Sequence, residues 1–349
     1  MIRKRKVSLD DLIFFNRQLA AIIRTKLPLP EGLAVIAREI HSETLRQSAA
    51  EMEKNLEAGL SLSEAFERQK DTFPELYASM VKAGEESGDL PGILTELCEY
   101  SDAMWDLEKK VKAALFYPVA IGVFILIYVP LLTAFVIPKF TGLYEALGGN
   151  LPIPTRLVIE FGQFMRSPWG LILLLGIPLI WLVYRMLRRA KTGRQIFDKL
   201  KLAIPAFGTL SKRTELWRFC RTLGILLKAG VPIVHSLQLV GATSRNKMIE
   251  SAIADVQQRV SQGEKLSEQC KRTGVFPETM TWMMAMGEER GTLNETLLEL
   301  ANFYDLEVRL SCRKIQSVIG PALVLCLGVI VGFILLSLYL PIFGIGELF

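Results

Sequence analysis

The sequence predicts an all-α membrane protein with two homologous cytoplasmic helical-bundle domains and three transmembrane helices. Half of the 349 residues are hydrophobic although 22% are charged, so the apolar residues must be concentrated in parts of the chain. Three long stretches carry no charged residue, and two polar segments share the same motifs in the same order. This composition excludes intrinsic disorder, collagen and disulfide scaffolds.

The uncharged stretches are the predicted membrane helices, over residues 113–138, 167–184 and 315–341. A helix needs about 20 apolar residues, and at least about 17, to cross the hydrocarbon core of a bilayer. All three stretches reach this length, the second only just. One such run fits a buried helix of a soluble protein, but three indicate a membrane protein.

The distribution of basic residues predicts the orientation. They cluster before the first span, after the second and before the third, whereas the tail after the third span has none. Because basic loops stay in the cytoplasm, segments 1–112 and 185–314 are expected to be cytoplasmic. The loop 139–166 and the tail 342–349 are then periplasmic. The chain opens without an early apolar run, so no cleaved signal peptide is expected.

The two cytoplasmic segments carry opposite net charges. Residues 1–112 hold 16 basic and 20 acidic groups (net −4), and residues 185–314 hold 22 and 13 (net +9). Such charges are compatible with complementary docking of the two domains, or of neighbouring copies. Nucleic-acid binding is not predicted, because anionic lipid would satisfy the basic cluster at 185–201.

Five motifs recur in the same order, the first two at an offset of 204 residues and the others at 203. With their counterparts in parentheses, they are Leu27-Pro28-Leu29 (Val231-Pro232-Ile233), Gly59–Glu64 (Gly263–Glu268), Phe73-Pro74-Glu75 (Phe276-Pro277-Glu278), Gly84–Leu90 (Gly287–Leu293) and Tyr117-Pro118 (Gly320-Pro321). Each repeat therefore comprises a helical domain and the membrane helix after it. The middle span has no counterpart and returns the chain to the cytoplasm.

Each domain is predicted to be a bundle of about six helices. Apolar residues recur at three- and four-residue spacing, as in Leu12, Phe15 and Leu19. Ser61-x-x-Glu64 and Thr292-x-x-Glu295 have the capping-box pattern of a helix start. Pro74 and Pro277 are expected in the first turn of a helix.

The repeated Gly-Glu-Glu-x-Gly-x-Leu is the most distinctive local motif, and it allows two main interpretations. It predicts either a junction between helices, in which glycine permits close packing and ends a helix, or an acidic surface that contacts a partner. Catalysis by the paired carboxylates is a third and much weaker interpretation, since no histidine accompanies them. The candidate residues are Gly84, Glu85, Glu86, Gly88, Gly287, Glu288, Glu289 and Gly291.

Enzyme motifs do not occur in the sequence. It has no phosphate-binding glycine loop, no His-Glu-x-x-His, no metal-spaced cysteine pair and no nucleophile elbow. We therefore predict no catalytic, cofactor-binding or metal-binding residue. The two histidines are isolated, and the five cysteines are expected to be reduced structural thiols.

Within the third span, Gly328-x-x-x-Gly332 would let another helix approach closely and is a candidate interface. None of the three spans contains a charged residue. Ion pathways usually require intramembrane charges, so a small transporter or channel subunit is kept only as the alternative function.

The motifs and the order of domains and spans resemble the type II secretion system F family. The resemblance extends from about Asp10 to Pro341 and includes the doubled Gly-Glu-x-x-Gly-x-Leu, the Leu-Ser-Glu and the Phe-Pro-Glu. The family comprises inner-membrane platform proteins of type II secretion and type IV pilus assembly.

The resemblance implies a non-enzymatic platform in the bacterial inner membrane. Its implied partners are a hexameric assembly ATPase, pilin or pseudopilin subunits, other inner-membrane assembly proteins, the lipid bilayer and further copies of itself, as a homodimer or higher homo-oligomer. Such a platform would couple ATP-driven motion to the extraction of pilin-like subunits from the membrane and their polymerisation into a filament.

Overall fold

A computed structural model of the chain describes residues 7–146 and 205–345, together with six positions between 153 and 167. The second predicted span beyond Ser167, the segment 185–204 and residues 346–349 lie outside the described residues. The periplasmic position of the loop 139–166 and of the tail 342–349 remains a prediction.

Residues 7–146 and 205–345 form twelve helices and no strand. The first repeat contains α1 (Leu9–Arg24), α2 (Leu29–Glu39), α3 (Glu43–Glu57), α4 (Leu62–Glu67), α5 (Glu75–Ser87) and α6 (Leu90–Ala146). The second contains α7 (Pro205–Lys228), α8 (Ile233–Thr243), α9 (Lys247–Val260), α10 (Leu266–Arg272), α11 (Glu278–Arg290) and α12 (Leu293–Ile345). The predicted all-α fold with two homologous six-helix bundles is confirmed.

Each bundle packs around an equivalent aromatic pair. Phe15 and Phe73 lie 5.0 Å apart between ring centroids in the first repeat, and Phe219 and Phe276 lie 4.9 Å apart in the second. All four side chains are buried. The first helix of each bundle therefore meets the segment before its fifth helix through the same kind of contact, which explains why these positions are apolar in both.

Local signals at the helix starts behave largely as predicted. The capping box at α4 is present, with Ser61 and Glu64 each bonding the other's backbone amide. Pro74 and Pro277 occupy the N-cap positions of α5 and α11, one residue before the predicted first turn. At this position the fixed φ of proline directs the chain into the helix, and its missing N–H leaves no donor unsatisfied.

The described residues divide into two compact units, one with residues 7–110 and 205–309, the other including residues 111–146 and 310–345. The second unit contains the apolar parts of α6 and α12. Two helical stretches, Leu90–Val129 and Leu293–Ser337, each contain an 18-residue segment apolar enough to cross a membrane. Only 6% of the first segment and 11% of the second are buried within the chain. A core helix of a soluble protein would be mostly buried, so this exposed apolar surface fits contact with lipid.

Candidate functional site: the helix junctions and the contact between the repeats

The first glutamate of the repeated motif holds the start of a neighbouring helix. Glu85, near the end of α5, accepts hydrogen bonds through Oε1 from the backbone amides of Leu62 (2.8 Å) and Ser63 (3.3 Å). Its Oε2 accepts one from the Ser63 hydroxyl. These amides belong to the first turn of α4, whose donors have no partner inside the helix. The Glu85 carboxylate therefore caps a helix that lies 22 residues earlier in the sequence.

The second repeat contains the same arrangement. Glu288 on α11 accepts from the amides of Leu266 (2.8 Å) and Ser267 (3.2 Å) and from the Ser267 hydroxyl (2.6 Å). A negative charge at a helix N-terminus is also favoured by the helix dipole. The Leu-Ser-Glu and Gly-Glu-Glu motifs of each repeat, which are separate in the sequence, therefore form one structural unit.

The two caps differ in what supports them. In the first repeat the Ser61–Glu64 capping box satisfies α4 together with Glu85. In the second, position 61 corresponds to Lys265, whose ammonium group has no acceptor and cannot cap. The start of α10 therefore depends on Glu288 more than the start of α4 depends on Glu85.

The glycines of the motif make the helix junction compact. A β-carbon on Gly84 would lie 2.8 Å from Ile93 Cγ1, and one on Gly287 would lie 2.9 Å from Thr296 Cβ. Gly88 and Gly291 end α5 and α11 with φ of 76° and 72°, a left-handed conformation that favours glycine. After Gly88, the Asp89 carboxylate accepts from the Gly92 amide at 3.0 Å and caps α6.

The second glutamate of each motif points away from the junction. Glu86 and Glu289 are exposed. Glu289 lies 3.9 Å from Lys265 Nζ, and Glu86 forms no ion pair within the described ranges. The adjacent carboxylates therefore differ in their partners: the first of each pair, Glu85 or Glu288, binds backbone amides of a neighbouring helix, and the second does not. A partner-contact role for Glu86 and Glu289 stays a prediction.

The buried thiols of the second bundle are unsuited to nucleophilic chemistry. Burial raises the pKa of Cys220 and of Cys270, and the nearby Glu288 carboxylate raises that of Cys270 further. Both thiols therefore stay protonated at neutral pH, whereas the thiolate is the reactive form. They fill space in the core.

The two repeats contact each other through residues that no sequence motif marks as a site. Tyr100 on α6 lies 3.5 Å from the Thr222 hydroxyl on α7, and Ser79 on α5 lies 3.0 Å from His235 Nε2 on α8. Glu96 on α6 pairs with Lys228 at the end of α7. His235, predicted to be an isolated solvated or packed histidine, is half-buried at this contact.

Acidic groups of the first repeat and basic groups of the second supply two of the ion pairs at this contact, Glu96–Lys228 and Glu108–Arg245. A third pair, Lys110–Asp305 at 3.2 Å, has the reverse polarity. Two of these three ion pairs therefore follow the signs of the net charges of the two segments. The individual pairs were not predictable, because they depend on which helix faces meet.

The predicted glycine interface in the third span has no neighbour within the described chain. A β-carbon on Gly328 or Gly332 would meet no heavy atom of the described residues within 4 Å. The two apolar helices α6 and α12 approach each other more closely at Gly320, where a β-carbon would lie 3.6 Å from the Tyr117 ring. Tyr117 and Gly320 are equivalent positions of the two repeats. An interface at Gly328 and Gly332 remains a prediction for another molecule.

The fold and these junctions define a class of protein, in which a duplicated helical domain is followed each time by an apolar helix. Comparison with known families gives the same division. The pattern of the family described as "Type II secretion system (T2SS), protein F" matches residues 15–138 and again residues 219–341. The chain belongs to this family, which confirms the resemblance found in the sequence.

Curated relatives match almost the whole chain. The type IV pilus assembly protein PilC of Thermus thermophilus is 34% identical over 98% of this chain and 84% of its own length. PilC of Pseudomonas aeruginosa is 31% identical over 98% of this chain and 92% of its own length. The type II secretion system protein F of Vibrio cholerae is 28% identical over 99% of this chain and 85% of its own length.

Proposed function

We propose that this protein is the inner-membrane platform of a type II secretion or type IV pilus-like assembly machine. It couples a cytoplasmic assembly ATPase to the extraction of pilin or pseudopilin subunits from the membrane and to their polymerisation. The observation that carries this proposal is the match of the family pattern to both repeats, separately and at equivalent positions. Relatives named for pilus assembly and for type II secretion both align over nearly the full chain.

The proposed topology places both helical domains in the cytoplasm. Membrane helices span 113–138, 167–184 and 315–341, the loop 139–166 and the tail 342–349 are periplasmic, and the domains occupy 1–112 and 185–314. Basic residues flanking the spans support this orientation. A tandem repeat of one domain and one span would place the second domain on the opposite side of the membrane. The middle helix therefore returns the chain to the cytoplasm before the second domain begins.

The partners of the proposed platform are the ATPase in trans, pilin-like subunits, other inner-membrane assembly proteins, the bilayer and further copies of the chain. In each repeat the last helix of the domain also carries the predicted span, since α6 and α12 are helical over 57 and 53 residues. The role itself requires no catalysis by this chain.

Deletion of the gene tests the proposal directly. We expect filament formation or secretion to be lost, because no subunit is extracted without the platform, and to return when the gene is supplied on a plasmid. The detergent-solubilised protein should bind the assembly ATPase in a pull-down. Intact filaments in the deletion strain, or solute flux through proteoliposomes containing this protein alone, would contradict the proposal.

Charge reversal tests which carboxylates face the ATPase. Glu86→Lys together with Glu289→Lys should weaken ATPase binding at least about tenfold while leaving the helical circular dichroism unchanged. The matched control is Glu57→Lys, at an exposed position of α3. If the control weakens binding as much as the paired variant, these glutamates are not the contact.

A further inference from the structure

The contact between the repeats joins two different faces. We call the first the donor face, formed on repeat 1 by Ser79, Glu96 and Tyr100 of α5 and α6. We call the second the acceptor face, formed on repeat 2 by α7 and α8 around Lys228 and His235. Two buried apolar residues lie beside this face: Leu239, four residues after His235 on the same side of α8, and Val231, in the turn between α7 and α8. The contact is therefore heterologous, joining unlike surfaces of homologous domains.

Because each domain is a copy of the other, each carries an equivalent of both faces, and one equivalent on each is unused within the described chain. On repeat 1, Leu27 is 57% exposed whereas its counterpart Val231 is 4% exposed. Val35 is 54% exposed, against 2% for Leu239. The acceptor face of repeat 1 thus presents apolar side chains at positions that are buried in repeat 2.

The donor face of repeat 2 is uncovered in the same way, and it is more apolar than its counterpart. Phe303 is 53% exposed, whereas the equivalent Tyr100 is 8% exposed. Trp282 stands where repeat 1 has Ser79, and its ring is exposed. Aromatic side chains exposed together mark a surface that binds another protein.

One of the three ion pairs of the internal contact, Glu96–Lys228, has counterparts of matching charge on the two unused faces. In the chain, Glu96 of the donor face pairs with Lys228 of the acceptor face. Their counterparts are Glu299 on repeat 2 and Arg24 on repeat 1, which keep the acidic and basic signs. Neither side chain forms an ion pair or hydrogen bond with another residue that the structure describes. An Arg24–Glu299 pair between two molecules would reproduce the internal one.

We propose that copies of this chain associate head to tail, with the donor face of repeat 2 in one copy seated on the acceptor face of repeat 1 in the next. The contact repeats between molecules the contact that joins the two domains within each molecule. This inference rests on the self-association included in the proposed function, and it assigns the surfaces. A heterologous contact forms a ring when its rotation closes and an open array when it does not.

Cross-linking with a short bis-maleimide tests the assignment in the full-length protein in native membranes. Glu31 and Trp282 are the counterparts of His235 and Ser79. In a chain whose five cysteines are replaced by alanine, Glu31→Cys with Trp282→Cys should give a covalent dimer and higher multimers. The matched control, Ser79→Cys with His235→Cys, should cross-link within one chain, so that the product still runs as a monomer.

Mixing two singly substituted, differently tagged chains separates the arrangements. Glu31→Cys in one chain should cross-link to Trp282→Cys in the other, and neither variant should cross-link to itself. Self-cross-linking of Trp282→Cys would overturn the head-to-tail arrangement, since it would show like faces meeting. Retention of the ATPase or a pilin by the wild type but not by Trp282→Cys, with no cross-link between Trp282→Cys and Glu31→Cys, would assign this face to that partner instead.

A second measurement does not depend on the cysteine background. Phe303→Ala should weaken self-association in detergent at least about tenfold, measured by mass photometry. Arg24→Glu should weaken it several-fold, and adding Glu299→Arg should restore it. Two outcomes would overturn the assigned interface while leaving the proposed function intact. One is that Phe303→Ala oligomerises as the wild type does. The other is that the chain with Glu31→Cys and Trp282→Cys oligomerises and supports filaments but gives no cross-link.

Discussion

Asn16, Tyr77 and Ser101 form a buried hydrogen-bonded network in the first bundle. The Asn16 side-chain amide donates to Tyr77 Oη at 2.8 Å and to Ser101 Oγ at 2.7 Å. The equivalent positions of the second bundle are Cys220, Met280 and Tyr304. The two domains therefore share a backbone arrangement but not the chemistry of their cores. A buried network whose members are all bonded specifies one packing arrangement.

Alkaline pH should destabilise the first domain through Tyr77. Burial raises the pKa of Tyr77 from 10.0 to about 12, an increase only partly opposed by the hydrogen bonds to Asn16 and Ser101. Because the folded-state pKa lies above the ordinary value, the stability contributed by neutral Tyr77 is complete below pH 10 and is lost as pH rises toward 12. Absorbance of tyrosinate, compared between the wild type and Tyr77→Phe, measures this titration.

The Tyr77→Phe variant is expected to be less stable at pH 7 by about 0.5–1.5 kcal/mol, since it loses its hydrogen bonds. Its stability should decline less than that of the wild type between pH 10 and 12. A difference spectrum that titrates near pH 10 would contradict the burial of this hydroxyl.

Removing the carboxylate cap should cost more in the second repeat than in the first. Glu288→Ala leaves the first amides of α10 without an acceptor, and we expect a loss of about 1–3 kcal/mol of stability. Glu85→Ala should lose less, because the Ser61–Glu64 capping box remains. Thermal unfolding by circular dichroism in detergent measures both. The adjacent Glu289→Ala and Glu86→Ala are the controls and should be nearly neutral; equal losses in all four variants would exclude the capping role.

At the scale of helices, the junction between α11 and α12 depends on close approach at Gly287. Gly287→Ala should lower stability by about 1–3 kcal/mol, because the added methyl group collides with Thr296. Gly328→Ala, in a part of α12 where no described atom lies within 4 Å of the new methyl group, is the control. Chemical unfolding in detergent compares the two. Equal stability of both variants would contradict the tight junction.

Helix existence and spacing were largely predictable from the sequence, because they depend on local patterns such as the apolar period around Phe15 and the Ser61–Glu64 box. The ends of the apolar helices were less predictable from the sequence. α6 continues through Ala146 and α12 through Ile345, past residues 138 and 341, which were predicted as the ends of the membrane spans and stay a prediction for those. Hydropathy detects the apolar part of a helix and not where its backbone hydrogen bonding stops.

The structural role of the first motif glutamate was only partly predictable. The sequence offered a helix junction or a partner surface for Glu85 and Glu86 together; the structure engages Glu85 in the junction, and a partner contact of Glu86 stays a prediction. The cap made by Glu85 joins residues far apart in the chain, so no local pattern reveals it. The same limit applies to Tyr100 and Lys228, whose contact requires knowing how the repeats pack.

At the scale of the whole molecule, duplication gives the protein two copies of each contact face. Within the described chain, one copy of each face is covered by the other repeat and one is left uncovered. Tyr100 and Leu239 of the internal contact are buried, and their counterparts Phe303 and Val35 remain exposed. A tandem repeat that docks through unlike faces always leaves one face of each kind free. Under the proposed head-to-tail association, assembly into larger structures follows from the duplication itself.

The proposed platform role requires both domains to lie on the same side of the membrane. Gln47 and Ser251 are exposed, equivalent positions on α3 and α9, and a membrane-impermeant maleimide applied to intact cells tests them as single cysteines in a cysteine-free chain. We predict that Gln47→Cys and Ser251→Cys are both labelled only after the cells are opened, whereas Asn150→Cys in the predicted periplasmic loop is labelled in intact cells. Labelling of Ser251→Cys from outside would contradict the shared cytoplasmic location of the two domains.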